Sequence, residues 1–132
     1  MASGATLRRL VRARDFLHAE ATRNPTLDEL ARAAGLSRAH LARQFAQTFG
    51  LPPHQYLVQL RLDEAKRALA DGQSVTDVCF RVGFESLGTF STSFRRRTGM
   101  SPREWQRATR GFVQSLGVPI LYIPSCFYAE HV

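Results

Sequence analysis

The sequence has no apolar run approaching the roughly 18 residues that cross a bilayer, so no membrane span is expected. Its basic N-terminus, MASGATLRRLVRARDF, has no apolar stretch behind it, which excludes a secretory signal and points to a chain that stays in the cytoplasm. Cysteine is scarce, and in that compartment the two present, Cys79 and Cys126, are expected to remain thiols. The four histidines, His18, His40, His54 and His131, have no carboxylate or cysteine at metal-ligand spacing. No serine stands in a nucleophile elbow or a phosphate loop, so no enzyme chemistry, metal or cofactor is expected. Low-complexity segments are absent too. The 44% apolar content suffices for a packed interior, and 132 residues read as one compact domain or two small lobes sharing a core.

Lysine is nearly missing as well: of eighteen Lys and Arg residues, only Lys66 is a lysine. The net charge of +7 and sequence pI near 10.7 favour a polyanionic partner. Arginine suits bidentate contact with phosphate and guanine, although arginine richness also follows from a GC-rich genome, so the net charge is the better signal.

What is present in abundance is an internal repeat. Ser74 to Trp105 reads as a short helix, a turn at Val82-Gly83-Phe84, and a second helix ending in Arg95, Arg96 and Arg97. That is the order of a helix-turn-helix, with arginines where such a helix meets phosphate. The pattern occurs once earlier, over Thr26 to Tyr56. Gly35 and Gly83 lie 48 residues apart, whereas Phe45 and Phe94, Gly50 and Gly99, Pro53 and Pro102, and Tyr56 and Trp105 lie 49 apart. A one-residue slip just after the turn explains the change of offset, and the chain reads as two copies of one DNA-reading unit.

Around these copies, Leu7, Leu10, Val11 and Leu17 make an apolar stripe and predict a first helix over 6–22, ended by Asn24-Pro25. Thr26 should cap a short second helix, with Glu29 completing a capping box and Leu27, Leu30, Ala31 and Ala34 as the buried edge. Gly35 stops it in a left-handed conformation, Leu36 fills the turn, and Ser37 caps a third helix over 38–49 with Leu41, Phe45 and Phe49 inward. A linker helix over 53–71 keeps Arg61, Asp63, Glu64, Lys66 and Arg67 mostly solvated; at ~1.5 Å per residue it spans roughly 25 Å, enough to hold two small units apart. In the second copy, Ser74 caps a helix whose buried edge is Val75, Val78, Cys79 and Val82. A helix over about 86–98 follows, burying Phe90 and Phe94, and a last one near 102–110 is built around Trp105. Residues 111–132 change character: Val118 to Tyr128 is apolar and broken by Pro119 and Pro124, so an extended tail is expected. It either covers core or binds a partner through apolar surface. Packing also accounts for Cys126 more simply than a redox role does.

The motif Ala31-x3-Gly35-Leu36-Ser37-x3-Leu41-x3-Phe45-x4-Gly50-x2-Pro53-x2-Tyr56, then Arg61-x3-Ala65, resembles the first half of an AraC/XylS-type DNA-binding domain. The second half is more specific: Val82-Gly83-Phe84-x5-Phe90-x3-Phe94-Arg95-x3-Gly99-x2-Pro102-x2-Trp105. Trp105 stands where the family usually has tyrosine. The resemblance covers about residues 7–108 and implies an all-α fold of seven helices. Residues 1–110 would form the double helix-turn-helix domain, with units at about 26–56 and 74–105 joined by the 53–71 helix. It further implies a transcription regulator, active as a monomer on double-stranded DNA, that docks two recognition helices in successive major-groove segments and acts through RNA polymerase. The chain has no separate ligand-binding domain and so is similar to short stand-alone members. A piece cut from a longer regulator is the alternative, against which Met1 and the tail argue weakly.

In this family the outward positions near the start of each recognition helix face base edges. Carried over, the first helix offers Ser37, Arg38, Ala39, His40, Ala42, Arg43 and Gln44, with Arg43 the base reader or, in the plainer alternative, a phosphate clamp. The second offers Ser86, Leu87, Gly88, Thr89, Ser91 and Thr92, none with a long hydrogen-bonding side chain, followed by Arg95 and Arg96 as backbone clamps. A solvated basic helix end is the plainer account of those arginines. The expectation is asymmetric readout, with the first unit specifying and the second gripping phosphate and reading shape. The competing reading is a protein-interaction module: a degenerate second unit plus an apolar tail, through which the chain could also self-associate, would make an antagonist that pairs with a full-length regulator or RNA polymerase.

Overall fold

The structure, a computed structural model, describes residues 3–110. Among these residues it is all-helical, with α1 Gly4–Ala19, α2 Leu27–Ala34, α3 Arg38–Phe49, α4 Pro53–Ala70, α5 Val75–Arg81, α6 Leu87–Thr98 and α7 Pro102–Thr109. No described helix is long and apolar enough to cross a membrane. The expected tail, Cys126 included, lies outside the described residues. The chain divides into two compact units, Met1–Leu60 and Arg61–Val132, so α4 contributes a part to each.

The expected helices α3 to α7 appear within about a residue of their predicted ends. α1 departs from expectation at both ends. It starts early because Ser3 caps it, its Oγ accepting the Thr6 N–H at 3.2 Å. It stops at Ala19 rather than 22: Glu20 leaves the helical region (φ −108°, ψ 17°) and the Arg23 N–H closes a turn on the Glu20 carbonyl at 3.0 Å. A turn of several residues before Pro25 is what lets α2 fold back onto α1. The apolar stripe of α1 is also displaced by one residue type. Leu7 is 44% exposed, and the small Ala13 is buried between Leu10 and Leu17, where close helix approach needs it. Leu27, assigned to the buried edge of α2, is 37% exposed, since it sits at the first helical position.

In the first unit, Leu10, Leu17, Leu30, Ala34, Leu41 and Phe45 form the core, with Phe49 and Tyr56 packed against it. Phe45 meets Tyr56 edge-on with centroids 5.4 Å apart, and the Tyr56 hydroxyl hydrogen-bonds His18 Nε2 at 3.0 Å. In the second unit, Phe84, Phe90, Phe94 and Trp105 form a chain of ring contacts with centroids 5.2 to 5.8 Å apart, and Leu62, Ala65, Leu69 and Val78 of the same unit are fully buried as well. The Trp105 indole N–H donates to the Lys66 carbonyl at 3.2 Å. His18 and Lys66 are 48 residues apart, the same offset that relates the two turns. The repeat therefore extends back into α1 and α4, and the Trp-for-Tyr difference exchanges a side-chain partner for a backbone one.

Cys79 is fully buried in the second core, at the place Ala31 takes in the first. Burial pushes its thiol above the ordinary value, because a thiolate there would be desolvated. The folded state therefore favours the protonated thiol: its contribution to stability is whole below the ordinary cysteine pKa of about 8.5 and is lost as pH rises past that value. In folded protein Cys79 should resist a thiol-alkylating reagent that modifies it readily in denaturant. Peptide mapping by mass spectrometry separates it from Cys126, and equal labelling in both states would contradict the burial.

Candidate nucleic-acid interface

Each unit contains a tight turn of the same construction. Gly35 adopts φ 68° and Gly83 φ 111°, both in the region that side-chain-bearing residues avoid. The following residue in each case, Leu36 or Phe84, reaches back to a carbonyl five residues earlier: Leu36 N–H to Ala31 at 3.0 Å, Phe84 N–H to Cys79 at 3.1 Å. These bonds satisfy helix-end carbonyls and aim the next helix. A Cβ on Gly35 would also come within 2.8 Å of the Arg9 guanidinium, which donates to the Gly35 carbonyl.

The recognition helices then begin on matched caps. Ser37 Oγ accepts the His40 N–H and Ser86 Oγ accepts the Thr89 N–H, each at 3.2 Å. Because Ser37 and Ser86 are 49 apart while the turn glycines are 48 apart, the extra residue of the second copy is Glu85. That residue corrects one expectation. Arg61, assigned to solvent, is only 6% exposed, its guanidinium 5.8 Å from the Phe84 ring centre. Burial pulls its pKa below the ordinary arginine value, and the negative charge of Glu85 opposes that shift. The inserted acid thus compensates a buried cation behind the turn. Arg61 stands four residues before Ala65, on the buried face of α4, and that spacing was the available sequence signal.

The helical faces decide which residues of α3 and α6 meet solvent. In α3, Leu41 and Phe45 point into the core, and the opposite face carries Ala39, Arg43 and Gln47, all exposed. In α6, Phe90 and Phe94 point inward, and Gly88, Thr92 and Arg96 are exposed opposite them. These are the same positions, 49 apart. Gln47 was missed by the sequence reading, and the repeat itself could have supplied it, because Gln47 corresponds to Arg96.

The other candidate residues are placed less openly. Ala42 and its counterpart Ser91 are half-buried, and Ala42 lines an apolar hollow of about 370 Å³ with Leu30, Pro52 and Leu57. His40 and Gln44 are half-buried on the flank of α3, while Leu87 and Thr89 are exposed in the first turn of α6. The Ser86 hydroxyl donates to Thr89 Oγ1 at 3.0 Å. Arg38 pairs with Asp28 at 3.3 Å and Arg95 with Glu104 at 3.6 Å, both on the surface. Such exposed pairs hold about 0–1 kcal/mol and yield readily to a stronger anion. Arg43 and Arg96 are exposed and have no ion-pair partner among the described residues, so no internal pair must break for either to meet an outside anion. Arg97, about 100° round the helix from Arg96, is half-buried.

Gly88 weakens α6, and nothing lies within 4 Å of where its Cβ would be. A Gly88→Ala protein should be more stable by roughly 0.5–1 kcal/mol, since alanine fits without contact and loses less backbone entropy. A lower melting temperature would show that the glycine has a conformational role at that position.

A family model described as a helix-turn-helix domain matches residues 30–108. The chain is 42% identical over 88 residues to the HTH-type transcriptional activator RhaS of Escherichia coli strain SE11, across 66% of its own length and 32% of that relative's. It thus spans about a third of the curated relatives it matches. Among solved structures, an AraC-type DNA-binding-domain regulator from Chromobacterium violaceum is 28% identical with a TM-score of 0.72, over 81% of this chain and 96% of that one. The DNA-binding domain of the global transcriptional factor AdpA, solved with a target DNA, is 30% identical with a TM-score of 0.71, over 78% of this chain and 94% of that one. With two helix-turn-helix units of matched construction, the chain belongs to this helix-turn-helix family and is an AraC/XylS-type DNA-binding domain.

Proposed function

We propose that this chain is the sequence-reading part of a bacterial transcription regulator, working in the cytoplasm and placing α3 and α6 in successive major-groove segments of double-stranded DNA. The observation that carries this is the paired outward face: Ala39, Arg43 and Gln47 on α3, and Gly88, Thr92 and Arg96 on α6, each opposite a buried aromatic edge. A helix in the major groove reads bases from such a face. On α3 the central position is a long fork-shaped donor, which can pair with guanine; on α6 it is a threonine, and the arginine lies a turn further on, where phosphate runs. The first unit therefore reads and the second chiefly grips. The likeness to a DNA-bound AdpA domain and to the RhaS activator supports this reading, with RNA polymerase as the further partner of an activator.

Selection of bound sites from a random duplex pool, followed by titration at several salt concentrations, tests the proposal. One enriched motif and a log–log salt slope of several units are the expected result, since the slope changes by about 0.9 for each phosphate neutralised. No binding to duplex DNA, with another protein co-purifying, would replace it with the antagonist reading.

A further inference from the structure

The described surface carries a second basic feature that the two recognition helices do not account for. α7 buries Pro102, Trp105 and Thr109, and this leaves Arg103 and Arg107, four residues apart, exposed together with Arg110 at the helix end. The three line a cleft of about 430 Å³ with Gln106 of α7 and with Ser74 and Thr76 at the start of α5. Among the described residues no acid lines it. The acid within α7, Glu104, is drawn away to Arg95 at 3.6 Å. Gln106 fixes the arrangement from beneath, its amide donating to the Leu69 carbonyl at 3.0 Å and to the Gln73 carbonyl at 2.6 Å. α7 is thereby tied to the loop that leads into α5, and its arginines are held beside that helix's first residues.

In a helix-turn-helix the first helix crosses the DNA backbone while the second enters the groove. α5 is the first helix of the second unit, so a basic cleft at its start lies where phosphates pass. We infer that Arg103, Arg107 and Arg110 form a phosphate clamp on the DNA strand flanking the α6 contact, a grip separate from Arg95 and Arg96. The inference rests on the proposed DNA reading. Three guanidiniums with no acid among them suit a row of phosphates, which they contact through forked donors without reading sequence.

The test uses the full 132-residue chain with Arg103, Arg107 and Arg110 all changed to alanine, a second protein with all three changed to lysine, and Arg107→Ala alone. Each is titrated against the selected site and a mixed-sequence duplex between roughly 50 and 200 mM salt. The triple-alanine protein should lose about 2–3 units of salt slope on both DNAs, the triple-lysine protein should keep its slope, and Arg107→Ala should lose about 0.9. The affinity ratio between the two DNAs should not change. If the triple-alanine protein fails to fold, the single variant decides. An unchanged slope in a folded variant overturns the clamp, and an unchanged slope with lost promoter activation assigns the patch to an acidic protein surface instead. Failure of the unaltered protein to bind either duplex would overturn the DNA reading itself, which separates the two outcomes.

Discussion

Replacing Arg43 with alanine should reduce the preference for the selected site over mixed-sequence DNA by about 1–3 kcal/mol, roughly 5- to 150-fold. Arg43 lies mid-face on α3, exposed and without an ion-pair partner among the described residues, between Ala39 and Gln47. Alanine would remove the forked donor and leave the helix intact, so stability should hardly move. Arg43→Lys separates reading from charge: lysine retains attraction to phosphate as a point charge but loses the two-pronged geometry that matches guanine. Specificity should therefore fall in both variants, while the lysine protein keeps its salt slope. Arg96→Ala, at the equivalent place to Gln47 on α6, should weaken binding to every sequence alike and lower the slope by about 0.9. The division between reader and grip fails if both alanine variants lose affinity uniformly.

Replacing Trp105 with alanine should destabilise the second unit by about 3–5 kcal/mol, a large share of the 5–15 kcal/mol typical of a whole domain. Trp105 is fully buried, and its removal leaves a cavity at the end of the Phe84–Phe90–Phe94 chain. It also abandons the Lys66 carbonyl, which loses a donor at 3.2 Å in a part-buried setting. Phe94 holds the inner edge of α6, so the recognition helix should lose its support and DNA binding should fall with the fold. The counterpart Tyr56→Phe is a contrasting control. It removes only the bond to the exposed His18 and should cost no more than about 1.5 kcal/mol. Denaturant unfolding followed by circular dichroism measures both, and a Trp105→Ala cost under about 1 kcal/mol would mean that the aromatic chain does not hold α6.

Much of this was legible in the chain itself. The repeat placed both turns, because a tight left-handed turn selects glycine and a helix start selects serine, whatever the surroundings. The one-residue slip was visible as a change of offset, and the structure locates it at Glu85. The fate of α1 was less legible. Local periodicity favoured Leu7, but the packing of α2 against α1 chose Ala13, since close approach of two helices favours a small side chain over a large one. Thr26 caps α2 as expected, its hydroxyl accepting the Glu29 N–H at 3.1 Å. The Glu29 carboxylate, however, accepts that same hydroxyl at 3.2 Å and not the Thr26 backbone N–H that a capping box uses.

By itself the sequence determined the two-fold plan, the helices and the caps, because each turn and helix start selects its residues locally and the repeat shows the same selection twice. Only the tertiary structure decided which polar groups remain available. It buried Arg61, with the charge of Glu85 opposing the cost of that desolvation, engaged Arg38 with Asp28 and Arg95 with Glu104, and left Arg43 and Arg96 exposed. It also brought Arg103, Arg107 and Arg110 to the start of α5, from which about thirty residues of chain separate them. Charge placement of that kind depends on which surfaces meet after folding, and a helical period along one segment carries no record of the surface that another segment will present to it.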